Sequence, residues 1–153
     1  MFKCLIVEDD KYKAKDIKDV IKLHFEVDVT IKKSYKSGLK EILSTNYDFI
    51  LLDMSMPTSD EELSEYKWTP KHFAGKELMI QMQYRRINAP VIIMTQFETF
   101  PDGLEEISLK NLVTTLEDLD FEGYVETIFY KMIGTKWQEQ LIRSINSIIK
   151  KES

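Results

Sequence analysis

The chain of 153 residues has a single cysteine, Cys4, set inside an apolar start, so no disulfide can form within it and a buried, inert thiol in a reducing compartment is expected. Its five glycines, at positions 38, 75, 103, 123 and 134, form neither a G-x-G-x-x-G nor a phosphate-loop pattern, which disfavours the nucleotide enzymes built on those turns. The two histidines, His24 and His72, make no metal-binding pattern. No apolar run approaches the roughly 18 residues of a membrane span, and the N-terminus lacks a signal peptide's apolar stretch and cleavage site. Positive charge is outnumbered, 21 Lys and Arg against 26 Asp and Glu, and the net charge of −5 argues against bulk affinity for nucleic acid or an anionic membrane. The expectations are a cytoplasmic location and protein partners. What is present, 43% hydrophobic residues in a length suited to one domain, suffices for an ordinary core.

Apolar periodicity alternates along the chain. Phe2–Val7 reads as a buried strand, and Ala14, Ile17, Val20 and Ile21 mark a helix over 13–23. A strand over 27–31 and a helix over 35–43 follow, the latter with Leu39, Ile42 and Leu43 on one side. In "YDFILLDMSMP", Phe49–Leu52 is continuously apolar, as a strand covered on both faces requires, and ends at Asp53. A third helix beginning near Gly75 carries Leu78, Met79, Met82 and Ile87, and "APVIIMT" supplies a fourth strand ending at Thr95. An amphipathic helix over 108–119 precedes a fifth strand over 124–130. Thr135 and Gln138 form a capping-box pattern opening a last helix striped by Trp137, Leu141, Ile142, Ile145, Ile148 and Ile149. Five strands alternating with five helices predict a doubly wound, five-stranded parallel α/β sheet, because parallel neighbours need crossover connections. Two connections, about 58–74 and 96–107, exceed the usual few residues and read as insertions in one domain over 1–153. The acidic "SDEELSE" in the first reads as a solvated face.

In such a sheet the functional crevice lies beyond the carboxyl ends of the strands, at the topological switch point. Glu8 and Asp9, Asp53, Thr95 and Lys131 follow strands one, three, four and five. "LIVEDD" crowds three carboxylates at one point, and like charges so close need open water or a cation. With Asp53 added, they form a hard oxygen site suited to Mg²⁺: Asp9 a direct ligand, Glu8 direct or through water, Asp53 both ligand and nucleophile. Asp10 is expected to cap the following helix. The Thr95 hydroxyl and the Lys131 ammonium would complete the stabilisation of a phosphoryl group on Asp53.

These motifs carry a resemblance. "VEDD" after strand one, "DMSMP" with its proline four residues past Asp53, and a threonine closing strand four resemble, in type and order, the response-regulator receiver domain. The resemblance covers nearly the whole chain and implies a flavodoxin-like (βα)5 fold with Asp53 as phosphoacceptor. It further implies Mg²⁺ held by Glu8, Asp9, Asp53 and the backbone carbonyl of Ser55, with Thr95 as the switch hydroxyl. A histidine kinase or phosphotransfer protein would supply the phosphoryl group, and a separate effector would read it. No output domain is expected, nor any enzymatic activity beyond self-catalysed phosphorylation and dephosphorylation. The face of the fourth helix, fifth strand and fifth helix would bind partners or a second copy.

The chain departs from the family pattern in two places. The glycine that normally follows the proline closely is Gly75, displaced by the insertion, and the usual Lys-Pro after strand five is missing. Either Lys131 fills the lysine position or, in another register, Thr127 does, with Tyr124 as the aromatic switch residue. The insertions and the atypical fifth strand also suit a pseudo-receiver acting as a phosphorylation-independent adaptor. A dehalogenase-type phosphatase fits less well, because Ser55 stands where its second carboxylate belongs.

Overall fold

The computed structural model describes residues 1–63, 73–96, 99–101, 106–131 and 133–152. In chain order its first half comprises β1 (Phe2–Val7), α1 (Lys11–His24), β2 (Val27–Lys32), α2 (Tyr35–Ser44), β3 (Phe49–Leu52) and α3 (Asp60–Leu63). The second half comprises α4 (Ala74–Tyr84), β4 (Val91–Thr95), β5 (Thr99–Pro101), β6 (Glu106–Ser108), α5 (Leu109–Asp118), β7 (Tyr124–Phe129) and α6 (Lys136–Glu152). Five strands form one parallel sheet in the order β2-β1-β3-β4-β7, the doubly wound architecture expected from the alternation.

Side chains alternate across this sheet with a period of two, and both faces are covered. Leu5, Val7, Ile50, Leu52 and Ile93 pack on α2, α4 and α5 through Ile42, Leu78, Met79, Met82, Leu112 and Leu116. Cys4, Ile6, Phe49, Leu51, Ile92 and Met94 face the other way, onto Ile17, Val20 and Ile21 of α1 and Trp137, Leu141, Ile145 and Ile148 of α6. All four residues of β3 are buried, which explains why its sequence shows no polar alternation. Each such side chain contributes about 2 kcal/mol through its removal from water.

Several boundaries differ from the sequence reading. Helix α1 begins at Lys11, before the first apolar position, because the Asp10 carboxylate accepts hydrogen bonds from the Tyr12 and Lys13 N–H groups and closes the first turn. The fifth strand of the sheet ends at Phe129, not Tyr130. The 58–74 connection opens with the short α3, and residues 64–72, with the end of "SDEELSE" and His72, lie outside the described residues. Two unexpected strands, β5 and β6, paired antiparallel, lie in the 96–107 connection and reach Ser108, a residue the sequence reading gave to the next helix; 97–98 and 102–105 lie outside the described residues. Among the described residues no helix is long and apolar enough to cross a membrane.

Candidate functional site

The chain crosses from β1 to β2 on one side and from β2 to β3 back past β1, so the switch point lies between β1 and β3. Val7 pairs with Leu52, and the Asp53 N–H donates to the Val7 carbonyl at 3.1 Å, so the residues leaving the two strands emerge side by side. Glu8, Asp9 and Asp53 each present a carboxylate oxygen, and these oxygens lie within 4.8 Å of one another. Glu8 is 2% exposed, while its Oε2 accepts a hydrogen bond from the Asp10 N–H at 3.0 Å. Asp10 itself caps α1, as its position predicts.

The cation facing these carboxylates comes from an unexpected element. Lys13, one turn into α1, is 2% exposed, and its ammonium lies 2.6 Å from Glu8 Oε1 and 3.3 Å from Asp53 Oδ1. It also donates to the Met94 carbonyl at 2.8 Å and sits 5.8 Å from the centre of the Tyr130 ring. No motif in the sequence singles it out. A signal was nevertheless present: Lys13 stands four residues before Ile17, on the stripe that continues through Val20 and Ile21, so a charge lay on a buried face.

Burial dominates the electrostatics. It raises the Asp53 carboxyl to about 7, with Lys13 opposing the shift and Glu8 adding to it. Burial also raises Glu8 and Asp9 above the usual carboxylate range, against the pull of Lys13. For Lys13 burial works toward the neutral amine, but the charges of Asp53 and Glu8 together outweigh it, and the ammonium is held above its ordinary value. When all three carboxyls are ionised, against one ammonium they leave two negative charges, the charge of one divalent cation.

Thr95 is fully buried at the end of β4, next to the Met94 carbonyl that fixes Lys13, and its own carbonyl accepts from the Tyr130 N–H at 2.6 Å. Ser55 follows two residues after Asp53 on the same loop. Lys131 is exposed, with its ammonium 5.4 Å from the centre of the Phe129 ring; among the described residues, the ion pair of Asp53 is made by Lys13. The β4–β7 register places Phe129 beside Thr95 and Thr127 beside Ile93, below the strand end. Thr127 shares a hydrogen bond of 2.7 Å with the Tyr124 hydroxyl, at the opposite end of the strand from Asp53. Gly75, at the start of α4, lies against the acceptor loop. A Cβ there would meet the Asp53 carbonyl oxygen at 2.5 Å, and the Gly75 N–H donates to the Met54 carbonyl at 3.2 Å. The displaced glycine therefore reaches Asp53 despite the insertion before it.

The donor set suits a hard divalent cation, since three carboxylates converge. The buried Glu8 Oε1 offers a further indication. Its contact with the Lys13 ammonium lacks the angles of a hydrogen bond, so it keeps lone-pair capacity for a cation.

No family model matches the chain. It is, however, 31% identical over 153 residues to the Detocs response regulatory protein DtcB of Enterobacter cloacae, with 95% of this chain and 99% of that protein covered. The chain belongs to the response regulators. This receiver is also 31% identical over 100 residues to the response regulator ArlR of Staphylococcus saprophyticus, across 65% of this chain and 39% of that protein. Among solved structures, the receiver domain of the Francisella response regulator 1452 matches with a TM-score of 0.67 at 24% identity, covering 100% of both chains. TrrA of Thermotoga maritima, in complex with Mg²⁺ and BeF, matches with a TM-score of 0.65 at 16% identity, covering 97% of this chain and 99% of that one. These structures share the flavodoxin-like receiver fold, and the family places the receiver in two-component signalling.

Proposed function

We propose that this receiver accepts a phosphoryl group on Asp53 from a histidine kinase or phosphotransfer protein and signals through a separate effector protein. The convergence of Glu8, Asp9 and Asp53 on one partly enclosed point carries the reading. A bound Mg²⁺, held by Asp9, Asp53, Glu8 and the Ser55 carbonyl, would offset the crowded negative charge and that of the incoming phosphoryl group. Asp53 Oδ1 accepts from the Met54 N–H at 2.8 Å and pairs with the Lys13 ammonium at 3.3 Å, which favours Oδ2 as the oxygen that attacks phosphorus. In the step, the bond from Oδ2 to phosphorus forms while the phosphorus–nitrogen bond of a phosphohistidine breaks. Its electron pair remains on the imidazole nitrogen. No proton is needed from the receiver, provided that Asp53 is ionised.

The product adds acceptor oxygens near Thr95, whose hydroxyl would bond them in the modified state only and thereby shift the equilibrium of the following loop. That change would be read on the face formed by α5, β7 and α6, by an effector or by a second copy of the chain. Incubation with Mg²⁺ and acetyl phosphate, followed by intact-mass measurement and mapping, tests the reading: one phosphoryl group on Asp53 is expected, and an unmodified protein would overturn it. The alternative, a phosphorylation-independent adaptor, draws on the same site. Lys13 already neutralises part of the cluster, and Lys131 stays in solvent.

A further inference from the structure

We infer that Lys13 is the phosphoryl-binding lysine of this receiver, so that the cation expected at the end of the fifth strand is supplied by the first helix. The inference rests on phosphorylation of Asp53 and adds the residue that receives the transferred group. The Lys13 ammonium donates to the Met94 carbonyl at 2.8 Å and forms ion pairs with Glu8 Oε1 at 2.6 Å and Asp53 Oδ1 at 3.3 Å. The first two hold the ammonium in place from β1 and β4. The third is the longest, and it points at the group to be modified. When a phosphoryl group is bonded to Asp53, its oxygens enter the space beside this ammonium. The ammonium can then donate to them while its hydrogen bond to the Met94 carbonyl and its ion pair with Glu8 persist.

A competing role would make Lys13 a fixed substitute for the metal. Its contacts argue otherwise. Among the described ion pairs, those of Lys13 reach Glu8 and Asp53 but not Asp9, and its other neighbours, the Met94 carbonyl and the Tyr130 ring, belong to the β4–β7 flank. Asp9 thus keeps a carboxylate corner for a cation on the other flank. When all three carboxyls are ionised, two negative charges are left over, and the cluster has room for both the ammonium and a divalent ion.

In acetyl phosphate transfer the phosphorus–oxygen bond to the acetyl group breaks, its electron pair leaves with acetate, and the Asp53 oxygen–phosphorus bond forms. Lys13 supplies charge throughout and exchanges no proton. The experiment compares wild type, Lys13→Gln, Lys13→Met, Lys13→Arg and Lys131→Ala, with circular dichroism to confirm folding. Two quantities are read: Mg²⁺ affinity by titration, and the rate of Asp53 phosphorylation by acetyl phosphate at saturating Mg²⁺. The folded Lys13 neutral variants are expected to bind Mg²⁺ as tightly as wild type or more tightly, yet to phosphorylate at least tenfold more slowly. Lys13→Arg should recover part of the rate, and Lys131→Ala should match wild type. A metal-substitute role would tighten Mg²⁺ binding without slowing phosphorylation, and that result would overturn the inference. So would loss of rate in Lys131→Ala alone. If wild type itself takes no phosphoryl group, the phosphoacceptor reading falls, and the role of Lys13 falls with it.

Discussion

Two corners of the same sheet edge treat a lysine in opposite ways. At the end of β1 and the start of α1, Lys13 is buried among carboxylates; at the end of β7, Lys131 stands in solvent over a phenyl ring. If Asp53 accepts a phosphoryl group as proposed, a positive charge beside it would stabilise that group, and its position in space would matter more than the element that supplies it. Burial makes the difference physical. An ammonium removed from water persists only with close negative partners, so Lys13 and its carboxylates depend on one another, whereas Lys131 has no such requirement.

The largest effect should come from removing the acceptor. Asp53→Asn is expected to abolish phosphorylation by acetyl phosphate and Mg²⁺, with intact mass showing no addition; phosphate remaining on that variant would move the acceptor elsewhere. Next comes the contrast between the corners themselves. Asp9→Asn should weaken Mg²⁺ binding at least tenfold, while Lys131→Ala should change it less than twofold in the same calorimetric titration. Equal losses in the two variants would erase the distinction between them.

Gly75→Ala probes the backbone beneath the site. Its new Cβ would lie 2.5 Å from the Asp53 carbonyl oxygen, so α4 or the acceptor loop must shift, at about 1–3 kcal/mol. A melting temperature lower by several degrees and weaker Mg²⁺ binding are expected, and an unchanged variant would show that the loop has room to spare.

The smallest effect is one of pH. Because burial raises the folded carboxyl of Asp53 to about 7, the metal-free folded state keeps a proton that the unfolded chain has already released above about 4. Stability of the metal-free protein should therefore fall as pH rises toward 7 and then level off. Thermal melts from pH 5 to 8 should show a loss of a few degrees that Mg²⁺ or Asp53→Asn reduces. A rise over that range would contradict the crowding of negative charge at this corner.

Much of this molecule was legible along the chain, because it depends on local order. Continuous burial of β3 shows as an unbroken apolar run, helix stripes repeat every three or four residues, and a carboxylate directly after a parallel strand must emerge at the carboxyl edge. Hence the sheet, its two covered faces and the meeting of Glu8, Asp9 and Asp53 follow from sequence alone. Asp10 as a cap follows as well, since its partners are two and three residues away. Tertiary structure decided the rest. The two strands β5 and β6 lie in a stretch whose composition suggested only a long connection. Gly75 returns to Asp53 across a separation of 22 residues, 53 to 75, because α4 packs on the sheet whatever the length of the loop before it. Lys13 meets Met94 across a separation of 81 residues, a contact that no local pattern encodes. An amphipathic stripe tells which face of a helix is buried, but only the packed sheet tells which carboxylates wait there, and those partners decide whether a buried lysine keeps its charge.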